Sequence, residues 1–129
     1  EVRDQMATAC DWMPTIADLA GVELPQHKLD GRNIAGVIRS SEVESPHEEF
    51  HWQSGGGKNP QWAVRDGNWK LIGNPRDTSN KAPIGKDDSR FLVNLAEDVS
   101  EMRNHAVAHP DVVKRLEMLH EVWVRGLSN

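Results

Sequence analysis

The chain has 129 residues, enough for one domain with a hydrophobic core but too few for a large α/β enzyme core. Its 20 acidic and 15 basic residues give a net charge of −5 without any basic block, which argues against a nucleic-acid partner. The single cysteine excludes an intrachain disulfide, and no stretch approaches the roughly 20 apolar residues of a membrane span, so we expect no membrane partner.

Two short helices and a linker are predicted at the start of the chain. The first helix covers residues 12–20, between a capping Asp11 and a terminating Gly21. After a loop with turn residues, a second short helical piece covers residues 34–38. An acidic, serine-containing linker over residues 40–46 ends this part.

From Phe50 onward the apolar residues alternate with a period of two, which predicts strands. The Asp66-Gly67 pair predicts a two-residue hairpin turn, in which Val64 pairs with Trp69. That register places four apolar side chains on one face. They are Trp62, Val64, Trp69 and Leu71.

Two further strands flank this hairpin in the prediction. In the first, Phe50 and Trp52 point inward to the core while His51 points outward. In the last, Phe91, Val93 and Leu95 share a face. The result is a four-stranded antiparallel sheet with one buried side.

The last predicted element is an amphipathic helix that starts at His109-Pro110. Its apolar stripe must be buried, and the sheet is the available partner. We therefore predict an α+β fold in which the sheet packs against this C-terminal helix and short helices come first. The stripe consists of Val112, Leu116, Leu119 and Trp123. The interval 74–89, rich in charges, Pro and Gly, is predicted to be a long, mobile surface loop.

Residues 47–51 match the H-E-x-x-H pattern of zinc peptidases, with His47 and His51 as ligands and Glu48 as the base. That mechanism requires a helix that turns both histidines to the metal. Pro46 before the motif and the Gly run after it leave room for barely two turns. We predict a strand here, and a small zinc hydrolase is retained as a third alternative.

The Gly-rich segment over residues 54–59 leads through Pro60 into a strand. A phosphate-binding P-loop leads into a helix, so we interpret this segment as a strand connection. The chain also has five Trp and no Tyr. Most of the Trp residues fall at inward positions, which favours core packing over sugar stacking.

Three separated motifs resemble the C-terminal region of type I sulfatases, the formylglycine-dependent kind. Residues 11–25 read D-x-x-P-T-x-x-x-L-A-G-x-x-x-P, and residues 63–72 read A-V-R-x-G-x-W-K-L-I. Residues 91–104 read F-L-V-N-L-x-x-D-x-x-E-x-x-N, similar to the family's L-Y-x-L-x-x-D-x-x-E-x-x-N-L, with His105 where Leu is usual. The resemblance spans nearly all of the chain and is closest to the arylsulfatase and N-acetylgalactosamine-6-sulfatase group.

The resemblance implies that residues 1–45 are the tail end of the sulfatase large domain with a linker, and that residues 46–129 are the C-terminal subdomain. It implies a parent that hydrolyses sulfate esters with a calcium ion and a formylglycine made from Cys or Ser. The family's C-x-P-S-R signature is absent, since other residues follow Cys10. We therefore expect no catalytic residue, metal or cofactor in this chain, and no activity of the chain alone.

In the family, loops of this subdomain rim the substrate pocket. The resemblance therefore makes three polar residues candidates for binding a sulfated sugar: His51, Lys58 and Asn59. The alternative is a stand-alone carbohydrate-binding or interaction module.

The expected protein partner is the missing N-terminal catalytic domain. The opening residues contain neither an initiator Met nor a signal peptide, so we interpret the chain as a fragment, or as a product of processing. The resemblance implies an exported parent, whether periplasmic, secreted or lysosomal, with its signal upstream. Apolar residues that would pack on the missing domain are expected to let the fragment self-associate. They are Met6, Trp12, Ile16 and Leu19.

Overall fold

A computed structural model of the chain describes residues 2–77, 81, 83–85 and 88–127. The chain divides into two compact units, Glu1–Glu48 and Glu49–Asn129. Within the described residues, no helix is both long enough and apolar enough to cross a bilayer.

The first unit contains the two short helices that the sequence predicts. Helix α1 covers Trp12–Ala20 and ends at Gly21, whose φ of 67° lies in the left-handed region that glycine tolerates. Helix α2 covers Ala35–Arg39. Each helix buries only two residues, so this unit has little core of its own. The buried residues are Pro14 and Thr15 in α1, and Ala35 and Val37 in α2.

The second unit is an antiparallel sheet with one long helix, which confirms the predicted α+β fold. The strands are β1 (Glu49–Ser54), β2 (Gln61–Asp66), β3 (Trp69–Gly73) and β4 (Arg90–Asn94), in the order β1-β2-β3-β4. Helix α3 (Pro110–Gly126) packs on one face and begins with proline at its first position, where no N–H is needed.

The hairpin between β2 and β3 turns one residue later than predicted. Asp66 pairs with Trp69, so Gly67 and Asn68 form the turn, and Gly67 has a φ of 56°. Val64 consequently pairs with Leu71 instead of Trp69. Pairing partners move by two residues, which leaves every side chain on its predicted face. The predicted apolar wall is therefore confirmed, and its core cluster is Trp62, Val64, Leu71, Leu92 and Leu116.

The predicted orientation of β1 is wrong. His51 pairs with Val64, a fully buried residue on the helix side, whereas Trp52 pairs with Ala63 on the opposite face. His51 therefore faces α3, and Phe50 and Trp52 face away from it. Alternation alone fixes which residues share a face but not which face is covered, and the aromatic rings of α3 accept the flat imidazole.

Strand β4 is buried on both faces of the sheet. At β4, Leu92 on the helix face has 0% exposure, and Phe91 and Val93 on the other face have 3% and 0%. The prediction of one buried side thus fails at this edge of the sheet. Residues 74–77, 81, 83–85 and 88–89 form no regular element, as predicted for this interval, and its remaining positions lie outside the described residues.

Candidate functional site

The H-E-x-x-H segment does not form the helix that a zinc peptidase requires. Strand β1 already begins at Glu49, and the two histidine rings have different partners. His47 Nε2 lies 2.8 Å from Asp11 Oδ1, while the ring of His51 stacks on Trp123. In the part of the chain that is described, no three His, Cys, Asp or Glu side chains are grouped to hold a metal ion. The structure therefore contradicts the zinc interpretation of these residues.

Asp11 is a fully buried carboxylate that joins distant segments of the first unit. It accepts hydrogen bonds from the backbone N–H of Arg32 at 2.7 Å and of Thr8 at 2.8 Å, and it contacts the His47 ring. Burial raises the pKa of Asp11, but the hydrogen bonds from Arg32, Thr8 and His47 outweigh burial and hold the pKa below its usual value. The prediction that the Asp11 side chain caps α1 is wrong, because its oxygens accept hydrogen bonds from Thr8 and Arg32, which lie outside the helix.

The three predicted sugar-binding residues have different surroundings. Lys58 and Asn59 are exposed in the loop between β1 and β2, where Gly55 and Gly57 adopt positive φ values of 82° and 90°. The Asn59 carbonyl accepts a 2.9 Å hydrogen bond from Arg76. The His51 side chain, by contrast, has 4% exposure. The predicted outward orientation of His51 is therefore wrong, and the substrate role of all three residues stays a prediction.

A stacked cluster of histidine and tryptophan rings joins α3 to the sheet. His120 stacks on Trp62 with centroids 4.0 Å apart and planes 9° apart, and His51 stacks on Trp123 at 5.0 Å and 7°. The Nδ1 atoms of both histidines are buried without a hydrogen-bond partner among the described residues. Burial, reinforced by the charges of His51 and Arg90, lowers the pKa of His120. Sequence reasoning missed this cluster, because the predicted stripe of α3 contained only apolar residues and left out His120, which the structure buries.

The tryptophans divide between core and surface. Trp62 has 9% exposure, and Trp69 and Trp123 are half-buried, in line with the core prediction. Trp12 and Trp52 are 55% and 43% exposed. The core prediction therefore does not hold for Trp12 and Trp52.

Helix α1 carries a row of exposed apolar side chains. Their exposures are 55% for Trp12, 52% for Met13, 58% for Ile16 and 55% for Leu19, whereas Met6 is half-buried. An apolar face of this kind on a helix is normally covered by a protein partner.

No known family profile matches the chain, but individual proteins do. An uncharacterised sulfatase of Schizosaccharomyces pombe is 30% identical over 132 residues, which is 95% of this chain and 21% of that protein. The chain thus spans about a fifth of the length of this curated relative.

Solved structures share the fold. One belongs to a study of the metabolism of multiple glycosaminoglycans by Bacteroides thetaiotaomicron, with 27% identity, a TM-score of 0.62, and coverage of 87% of this chain and 24% of that one. Another, in complex with its substrate D-glucosamine-2-N,6-O-disulfate, has 22% identity and a TM-score of 0.60 over 89% of this chain and 23% of that one. The second likeness shows the fold alone.

Proposed function

We propose, on the premise that this chain is homologous to sulfatases, that it forms the C-terminal region of a formylglycine-dependent sulfatase, a sulfuric ester hydrolase, and is inactive alone. The observation that carries the proposal is the match over 95% of this chain to only 21% of a sulfatase. The shared α+β fold supports it, because a small sheet-and-helix unit recurs within much longer solved chains.

The calcium and formylglycine of the reaction would belong to the rest of the parent. Calcium needs six to eight oxygen ligands, and in the described part of the chain no three His, Cys, Asp or Glu side chains are grouped to hold a metal ion. The C-x-P-S-R signature of formylglycine is likewise absent from the sequence. In this proposal the chain contributes packing and substrate contacts but no reacting group.

A sulfated carbohydrate is the substrate class that we propose for the parent. A protein of the same fold binds D-glucosamine-2-N,6-O-disulfate as its substrate. In this chain the exposed Lys58 offers a positive charge and Asn59 a side-chain amide, both suited to sulfate and hydroxyl groups. The burial of His51 removes the exposure on which its candidacy depended. We therefore propose Lys58 and Asn59 as the pair that contacts substrate.

The protein partner in this proposal is the N-terminal catalytic domain, with the exposed apolar face of α1 as a docking surface for it. That face comprises Trp12, Met13, Ile16 and Leu19. Association that removes such side chains from water is favoured by the hydrophobic effect. We further propose that the parent is exported, as the resemblance to sulfatases implies.

The experiment that tests the function compares this chain with its full-length parent. The parent is expected to hydrolyse 4-methylumbelliferyl sulfate in the presence of calcium, and the isolated chain is expected to release no product. In the parent, Lys58→Ala and Asn59→Ala should raise KM for a sulfated sugar. Hydrolysis by the isolated chain, or a parent without sulfatase activity when formylglycine is present, would contradict the proposal.

A further inference from the structure

The face of the sheet that points away from α3 contains a shallow cavity. It lies where a small residue, Ala63, is flanked by two large ones on the neighbouring strands. Ala63 pairs with Trp52 on one side and with Ile72 on the other, so the three side chains form one row across the strands. The methyl group of Ala63 leaves a cavity of about 270 Å³ between its larger neighbours. The exposed indole of Trp52 forms one wall of this cavity.

Polar side chains surround this apolar floor. Ser54, Gln61 and Lys70 line the same cavity. Lys70 Nζ donates to Glu101 at 2.6 Å, which leaves two further donors on its ammonium group. An aromatic wall with a few hydroxyl, amide and ammonium groups is the usual composition of a small-molecule site, and it matches the apolar face and hydroxyl rim of a sugar ring.

A second cavity, of about 410 Å³, adjoins the first, because Gln61 and Ile72 line both. Arg76 and Lys81 line it together with Asp77 and Glu101. With Lys70, the two cavities hold three cations against two carboxylates, although the chain as a whole has a net charge of −5. This local excess of positive charge suits one anionic group.

We propose that this trough, lined by Trp52, Ala63 and Ile72 and continued to Arg76, binds a sulfated saccharide, with a sugar ring stacked on Trp52 and the sulfate near Arg76. The inference rests on the proposed function and adds the residues that hold the sugar. Arg76 also donates to the carbonyl of Asn59, so the trough continues to the loop that carries Lys58. A protein partner would favour a flat apolar face such as that of α1, whereas this surface is concave and has polar ends.

The test is a titration of the ¹⁵N-labelled chain, monitored by the indole N–H signals of its tryptophans. The probes are N-acetylglucosamine-6-O-sulfate, unsulfated N-acetylglucosamine and inorganic sulfate. We expect the sulfated sugar to shift the Trp52 indole and Gln61 amide signals, the unsulfated sugar to shift them more weakly, and inorganic sulfate to leave Trp52 unmoved. Trp52→Ala should abolish binding, and Ala63→Leu should do so by filling the hollow. Arg76→Gln should remove the preference for the sulfated sugar.

Trp12→Ala is the matched control, since Trp12 is the other highly exposed tryptophan and lies in the first unit. This variant should bind like the wild type. Unchanged Trp69 and Trp123 signals in the Trp52 and Ala63 variants will show that the sheet is folded, because neither residue lines this cavity. Absence of any Trp52 shift overturns the inference, as does equal binding of both sugars or equal loss in Trp12→Ala. None of these results depends on hydrolysis by the parent, so they are separate from a failure of the sulfatase proposal.

Discussion

At the scale of single residues, Asp11 joins three segments of the first unit, because its carboxylate contacts Thr8, Arg32 and His47. An Asp11→Asn change keeps the shape but sets an NH₂ group against at least one backbone donor. We expect the local free energy of unfolding to fall by roughly 1–3 kcal/mol. Amide hydrogen exchange at Thr8 and Arg32 measures this loss, because both amides donate to the carboxylate.

Asp18→Asn is the control for this exchange experiment. Asp18 is an exposed aspartate on α1, so its change should alter exchange at Thr8 and Arg32 by no more than about 0.5 kcal/mol. Because the native pKa of Asp11 is lowered, its contribution is full above its unfolded pKa and is lost as the pH falls through the native value. Equal protection in wild type and Asp11→Asn would show that the carboxylate does not hold these segments.

His120 makes the stability of the second unit depend on pH. Its native pKa lies below the unfolded value of about 6.5, so the unfolded chain binds more protons at slightly acid pH. Stability should therefore be full above about pH 6.5 and should fall as the pH drops below it. His120→Phe keeps a flat ring against Trp62 but cannot be protonated. We expect its urea midpoint, followed by tryptophan fluorescence from pH 7.5 to 5.5, to vary less than that of the wild type.

The exposed His27 provides the comparison for this titration. His27→Phe should leave the pH dependence of the urea midpoint as in the wild type. If His120→Phe kept the full wild-type slope, then the buried imidazole would not be the group that titrates.

At the scale of elements, the last residue of β3, Gly73, packs directly against the indole ring of Trp62. A side chain at Gly73 would overlap the ring of Trp62, which itself stacks on His120 of α3. Gly73→Ala must therefore displace Trp62 and disturb the contact between sheet and helix, at a cost of about 1–3 kcal/mol in the free energy of unfolding. Urea denaturation measures the change.

Gly56→Ala is the matched control, because nothing lies within 4 Å of a side chain placed there. It should leave the urea midpoint close to the wild-type value. A Gly73→Ala variant as stable as Gly56→Ala would show that Trp62 can move without loss.

The elements themselves could largely be predicted from the sequence, because helix ends and hairpins are coded locally. Helix α1 follows from its apolar spacing and Gly21, and the hairpin follows from Gly67 and the alternating residues around it. The face chosen by β1 could not be predicted, since it depends on rings of α3 that are about 70 residues away in sequence. For the same reason the hollow over Ala63 has no sequence signal: it exists only once β1, β2 and β3 are in register.

At the scale of the whole molecule, both units expose large apolar side chains, and the chain matches only about a fifth of the length of a curated sulfatase. In the first unit they lie along α1, and in the second Trp52 lies on the open face of the sheet. A unit that buries two residues per helix gains little from its own core. The stability of the first unit should therefore depend on whatever covers α1.

Self-association of the isolated chain follows from this exposed face of α1. Contact with another copy would cover Ile16 and Leu19 in the isolated chain, so we expect sedimentation to show oligomers whose fraction rises with protein concentration. The double change Ile16→Lys and Leu19→Lys places charges on the face and should yield a monomer that binds less hydrophobic dye. Val107→Lys is the control, because Val107 is 95% exposed in the second unit and should leave the association unchanged. A monomeric wild-type chain without dye binding would show that α1 needs no cover.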